Sequence, residues 1–300
     1  MGHAHGPAAH GAGHHRGALL LAWGLTTVFF LVELGVGLAT GSLALLSDAG
    51  HMGADVIALS AALLATTYAT RADSTGRKTF GNYRIEVFAA ALSCLVMLVV
   101  GTGTLVAAAA RLGEDVDVAA TPMLVVGVLG LAVNAVAIMT LRRGAADSLN
   151  VRGAYLEVVA DAGGSVGVIV AAALVASTGD GAWDTVVAVA IGCFVLVRAV
   201  SLGRSVWAVL GQHVPHGIDA AAVEADLAAL ADVAGVHDLH LWILTSGMDV
   251  ATVHLVAAEG GDPHQLLHAA STLLRERHRL EHATVQIESC DRTGCAELTW

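Results

Sequence analysis

The run SLALLSDAGHMGADVIALSAALLAT, from Ser42 to Thr66, is apolar for most of its length but carries His51 and Asp55. A second run, AYLEVVADAGGSVGVIVAAALVA from Ala154 to Ala176, repeats the pattern with Glu157 and Asp161. Residues four apart lie on one face of an α-helix. Each run therefore presents two metal-competent side chains next to each other. Both runs are long enough to cross a bilayer, which takes about 20 mostly apolar residues. Ionisable groups inside a span are costly and face a partner or a water-filled path. Two such helices packed together would surround one divalent cation with four ligands. The pattern points to a metal ion crossing a membrane.

Composition agrees. The chain has 300 residues, 56% hydrophobic and 14% charged, against about 45–50% and about 25% in soluble domains. Much of its surface needs an apolar solvent, which makes membrane lipid an expected partner. Aromatics are only 4%, while Gly reaches 34 residues, and small residues let membrane helices approach closely. The net charge is −11 with His counted neutral, which speaks against nucleic-acid binding. Of four Cys, two sit in apolar runs (Cys94, Cys193) and two near the end (Cys290, Cys295). That spacing is no disulfide framework. In a reducing compartment the terminal pair reads better as thiols or metal ligands.

By length and hydropathy, six membrane spans are expected: 17–39, 43–68, 85–110, 121–141, 155–177 and 185–205. No cleavable signal peptide is expected before them. Lys and Arg crowd the loops on one side, with Arg71, Arg77, Lys78 and Arg84, then Arg142, Arg143 and Arg152, then Arg204. The other side holds acidic loops and a single base, Arg111. Basic loops stay cytoplasmic, so both termini are expected in the cytoplasm of a multi-pass cell-membrane protein. Residues 1–16 carry His3, His5, His10, His14 and His15 among Gly and Ala. This tail lacks core-forming content and is expected to be disordered; it either gathers metal weakly or is merely solvated.

Beyond about residue 206 the character changes. Ile218 to Ala234 shows helical spacing; Val236–Thr245 and Asp249–Ala258 alternate as half-buried strands do. Ser246-Gly247-Met248 reads as the turn between them. Pro263 to Arg279 reads as a helix and Ala283–Ser289 as a third strand. The order α-β-β-α-β over residues 206–300 suits a small two-layer α+β domain. Alternate strand residues share a face, so Glu288 and Cys290 converge, and Cys295 could add a thiolate. The competing reading is ordinary polar strand residues with free thiols. His240, His278 and His282 read as solvated, and His213 and His216 as the end of the last membrane helix.

The chain resembles the cation diffusion facilitator family of zinc-type, proton-coupled exporters. The resemblance rests on Gly41 to Asp55, on Phe80-Gly81-Asn82-Tyr83-Arg84-Ile85-Glu86, on Leu149 to Gly167, and on Val236-His237-Asp238-Leu239-His240-Leu241-Trp242. It implies a six-helix membrane domain (17–205) with a cytoplasmic ferredoxin-like α+β domain (206–300), a homodimer, and a second metal site at His237, His254 and Glu288. One departure stands out. Zinc-type members commonly carry His-x-x-x-Asp in both paired helices, and here the second is Glu157-x-x-x-Asp161.

That change gives one imidazole and three carboxylates. Zn²⁺ takes N and O ligands about 2.0–2.2 Å away, and His51, Asp55, Glu157 and Asp161 offer these. An added carboxylate also suits Co²⁺, Cd²⁺ or Mn²⁺. Three carboxylates crowded in a low dielectric do not all stay ionised, so protons should occupy the empty site and leave as metal enters. This exchange implies metal in one direction and protons in the other. A polar patch that only joins helices is the weaker reading, given tetrads in two separate spans. Asp48 reads as a partner of the ligands or an entrance carboxylate, while Glu33 and Asn134 read as hydrogen-bonding across helices. A non-transporting metal sensor and a channel are competing functions. His-Glu-x-x-His does not occur, and the one Gly-x-Ser-x-Gly, Gly163 to Gly167, lies within an apolar helical run and not at a strand-to-helix turn, so an enzyme is not expected.

Overall fold

The computed structural model describes residues 12–68, 78–142 and 149–289. The chain divides into two compact units, Met1–Gly203 and Arg204–Trp300. Among the described residues, six long helices precede the tail: α1 (Ala12–Thr40), α2 (Leu43–Tyr68), α3 (Ile85–Ala110), α4 (Ala120–Leu141), α5 (Leu149–Thr178) and α6 (Ala182–Leu210). Among the described residues, α1 and α3 to α6 each hold a stretch long and apolar enough to cross a membrane.

Two helices start five or more residues earlier than hydropathy suggests. α1 begins at Ala12, inside the stretch read as a disordered tail, and residues 1–11 lie outside the described ones. α5 begins at Leu149, six residues before its apolar run. Once nucleated, a helix extends through adjoining residues at little cost, so apolar length marks the buried part of a helix and not its end.

Small side chains set how closely these helices pack. Ala44, Ala54, Ala171, Ala172, Ala188 and Ala199 are fully buried. A Cβ on Gly50 would fall 2.2 Å from Val100 Cγ1, so α2 meets α3 at a contact only glycine allows. Hydrogen bonds cross the same seams. Trp23 Nε1 donates to Ser60 Oγ at 2.9 Å, and Ser93 Oγ to the Ala54 carbonyl at 3.0 Å. Asn134 Nδ2 donates to Ser165 Oγ at 3.4 Å, the cross-helix role expected of it. Outward, Leu38, Phe88, Val99, Val106, Val197 and Trp207 are exposed, a surface suited to hydrocarbon.

Three helix ends are tied together at Asp184, in the first turn of α6. Ser42 caps α2, accepting from Leu45 N at 3.1 Å, as N-cap serines do. The fully buried Asp184 carboxylate accepts from Ser42 Oγ and Leu43 N, both at 2.7 Å, and from Ala44 N at 3.2 Å. A carboxylate at a helix N-terminus also meets the positive end of the helix dipole. Arg111, the C-cap of α3, reaches Asp184 Oδ2 at 3.4 Å and donates to the Gly41 carbonyl at 2.8 Å. Loop charge alone showed only an isolated base and an acidic loop here. Asp184→Ala strands the Arg111 charge and two α2 amides. Breaking a buried pair costs about 3–5 kcal/mol, so the purified variant should melt well below the parent. An unchanged melting temperature would remove Asp184 from this role.

In the second unit, α7 (Ala220–Ala228) leads into β1 (Val233–Thr245), β2 (Met248–Ala257), α8 (Pro263–Glu276) and β3 (His282–Ser289). Asp219 and Asp262 cap the two helices, accepting from Ala221 N at 3.0 Å and His264 N at 2.9 Å. α7 is shorter than the 218–234 helical pattern, because Asp232 takes a left-handed φ of 66° and turns the chain into β1. The turn after β1 is tighter too: Gly247 sits at φ 72° and Met248 already belongs to β2. The sheet order is β1-β2-β3, with β1 and β2 antiparallel and β2 and β3 parallel. Val253, Leu255 and Ala257 pack with Leu227, Leu266 and Leu274 in one core. Their alternates, including His254, point to the other face of the sheet. His278 is not solvated as expected: its Nε2 lies 2.9 Å from Asp226 Oδ2, joining the end of α8 to α7.

Candidate metal centres

The first centre grows from the i, i+4 spacing on α2. That spacing stacks His51 and Asp55, with His51 Nε2 3.7 Å from Asp55 Oδ2. α5 crosses α2 at the same level and brings Asp161 Oδ1 to 3.1 Å from the same nitrogen. The close crossing depends on Gly164, where a Cβ would fall 2.5 Å from Asp48 Oδ1. His51 is buried; Asp55 and Asp161 are half-buried. Their ligand atoms all lie within 4.8 Å of one another. Tetrahedral bonds of about 2.0 Å place ligand atoms about 3.3 Å apart, so these three already stand near cation-binding separation. Glu157 belongs to α5, four residues before Asp161; its side chain lies outside the described residues.

Other polar groups surround this trio. Asp48 is buried but does not join the cluster; it faces Glu33 of α1. Glu33 is fully buried, and neither of its oxygens meets a hydrogen-bond donor among the described residues. The helix-to-helix hydrogen bond expected of Glu33 is therefore a contact between two carboxyls, which bond only when one holds a proton. Arg198 of α6 was not anticipated. Its Nη1 lies 3.7 Å from Asp161 Oδ1 and in direct contact with His51 Nε2. Its one signal in the sequence is a lone base inside an apolar run.

The second centre lies on the sheet face away from the helices. His237 and His254 are directly opposite in the β1–β2 register. In the β2–β3 register His254 stands beside Gln286, which shares its face with Glu288. Glu288 accordingly reaches both imidazoles, with Oε2 3.1 Å from His237 Nε2 and Oε1 3.1 Å from His254 Nδ1. Gln286 Nε2 donates to Glu288 Oε1 at 2.8 Å. Asp238, unnoticed in the sequence as a site residue, sits at φ 51° in an irregularity between His237 and His240. Its Oδ2 lies 3.7 Å from His254 Nδ1 and 3.9 Å from His237 Nδ1. His237 Nδ1 is buried without a hydrogen-bond partner among the described residues, and His237, His254 and Glu288 form a cation-sized cluster. Cys290 and Cys295 lie outside the described residues.

Comparison with known proteins accounts for both parts of the chain. The family model for the cation efflux transmembrane domain matches residues 19–210, and that for the cation efflux protein cytoplasmic domain matches residues 215–290. A metal cation efflux system protein, CzcD, of Cupriavidus metallidurans is 40% identical over 299 residues, 99% of this chain and 93% of that protein. A cadmium, cobalt and zinc/H(+)-K(+) antiporter of Bacillus subtilis is 32% identical over 93% of this chain and 91% of its own. The zinc transporter ZitB of Escherichia coli is 34% identical over 90% of this chain and 86% of that protein. Metal-competent side chains on paired apolar helices, an α+β tail with a second such cluster, and these matches along nearly the whole length have one consequence: the chain belongs to the cation efflux, or cation diffusion facilitator, family of multi-pass membrane transporters.

Proposed function

We propose that the protein exports a divalent transition-metal ion, Zn²⁺ foremost, from the cytoplasm in exchange for protons. The observation that carries this reading is His51 Nε2 standing between Asp55 of α2 and Asp161 of α5. Glu157, by its spacing of four from Asp161 in the sequence, is the fourth ligand in this reading. Metal entry requires these groups to give up protons, and an imidazole that ordinarily titrates near neutral pH suits that exchange. The Bacillus relative, named as an antiporter that uses H⁺, supports the coupling. We place both termini in the cytoplasm, on the strength of the basic loops. The tail cluster of His237, His254 and Glu288, with Cys290 and Cys295 as further donors, binds metal and biases how two protomers of a homodimer meet.

Cd²⁺, Co²⁺ and Mn²⁺ are the competing substrates. The carboxylate at Glu157 and the cadmium and cobalt in the Bacillus relative's name favour a breadth beyond zinc. Competition among the four ions for purified protein tests this directly. Glu157→His replaces an oxygen ligand with a nitrogen. The rate of Zn²⁺ flux relative to Cd²⁺ or Mn²⁺ should then rise several-fold. An unaltered ratio would take Glu157 out of the ion's shell.

A further inference from the structure

The transport site holds one group that cation binding does not call for. Arg198 projects from α6 onto the very atoms an ion would use: His51 Nε2, which it touches, and Asp161 Oδ1, 3.7 Å away. A guanidinium keeps its charge and offers no lone pair. It is therefore no ligand, and it and a metal ion exclude each other from these atoms.

We propose that Arg198 is a tethered counter-cation, which fills the transport site when the metal leaves and is displaced when the metal enters. This rests on the reading of His51, Asp55 and Asp161 as that site. Carboxylates left without a cation in a poorly solvated interior are costly, and Arg198 offsets one of their charges. It also weakens binding, because only the fraction of molecules with the guanidinium displaced can take metal. A carrier needs that weakening to let its cargo go. Phe194, one turn earlier on α6, flanks the guanidinium where it stands at the site. Its ring centroid lies 5.9 Å from the guanidinium carbon, within cation–π reach.

A simple helix brace predicts the opposite result, which makes the proposal testable. Zn²⁺ is titrated into the full chain in detergent, with His237→Ala and His254→Ala present to silence the tail. Adding Arg198→Gln should tighten the remaining Zn²⁺ binding at least tenfold, and slow export at saturating metal in vesicles. Arg198→Lys, which keeps the charge, should tighten binding less than Arg198→Gln does. In the unaltered protein, modification of Arg198 by phenylglyoxal, read by mass spectrometry, should rise when Zn²⁺ is added. Unchanged or weaker binding in Arg198→Gln overturns the proposal; so does labelling indifferent to Zn²⁺, which stands as the test if that variant does not fold. Asp161→Ala separates the two levels. If it binds Zn²⁺ like the parent, the transport site itself is misassigned. If it loses binding while Arg198→Gln does not tighten, only the role of Arg198 falls.

Discussion

Vesicles carrying Asp161→Ala or His51→Ala should lose metal flux by more than about 100-fold, while the protein still inserts and folds. Removing even the partner of a metal ligand costs about 10–100-fold in affinity, and a ligand itself should cost more. Asp161 is half-buried and meets His51 of α2 at 3.1 Å. The packing of α2 and α5 instead rests on small residues such as Gly164. Tracer flux and thermal melting on the same preparation check both halves of the claim. Normal flux in Asp161→Ala would take the transport site away from these helices.

The tail should behave as a separate metal-binding unit. Fragment 206–300 has its own core around Leu227, Val253, Leu255 and Leu274. A ligand at 100 times its Kd stabilises a fold by about 2.7 kcal/mol, which raises the melting temperature of a domain this size by on the order of 10 °C. Zn²⁺ should produce such a rise in the fragment. His237→Ala with His254→Ala should abolish it, since both imidazoles meet the one carboxylate of Glu288. A full metal-dependent rise in the doubly substituted fragment would mean the ligands lie elsewhere, with Cys290 and Cys295 the next to test.

How far the sequence could be read depended on whether a residue acts through its own helix or through another. His51 with Asp55 is a local pattern: two residues four apart must share a helical face, and the structure adds the arrival of Asp161. The six helices were legible for the same reason, since about 20 apolar residues have few alternatives in a protein. Arg198 and Asp184 act across helices. Nothing in α6 alone says that Arg198 meets His51 of α2, or that Asp184 caps a helix 140 residues earlier. Asp238 became visible only with its backbone, because a left-handed residue between two strand histidines has no periodic signature. Glu33 was legible as costly in an apolar run; its neighbour, another carboxyl, depends on how α1 packs against α2.

Metal/proton exchange through His51, Asp55, Glu157 and Asp161 is tested most directly by flux under an imposed pH gradient. The purified full chain is placed in vesicles with Zn²⁺ at equal concentration inside and out, and an inside-acid gradient is applied. The account predicts that Zn²⁺ accumulates inside against its own gradient as protons leave, and that collapsing the pH difference with a protonophore stops it. Zn²⁺ movement that runs at the same rate with and without the pH gradient, and never beyond equal concentrations, would contradict it.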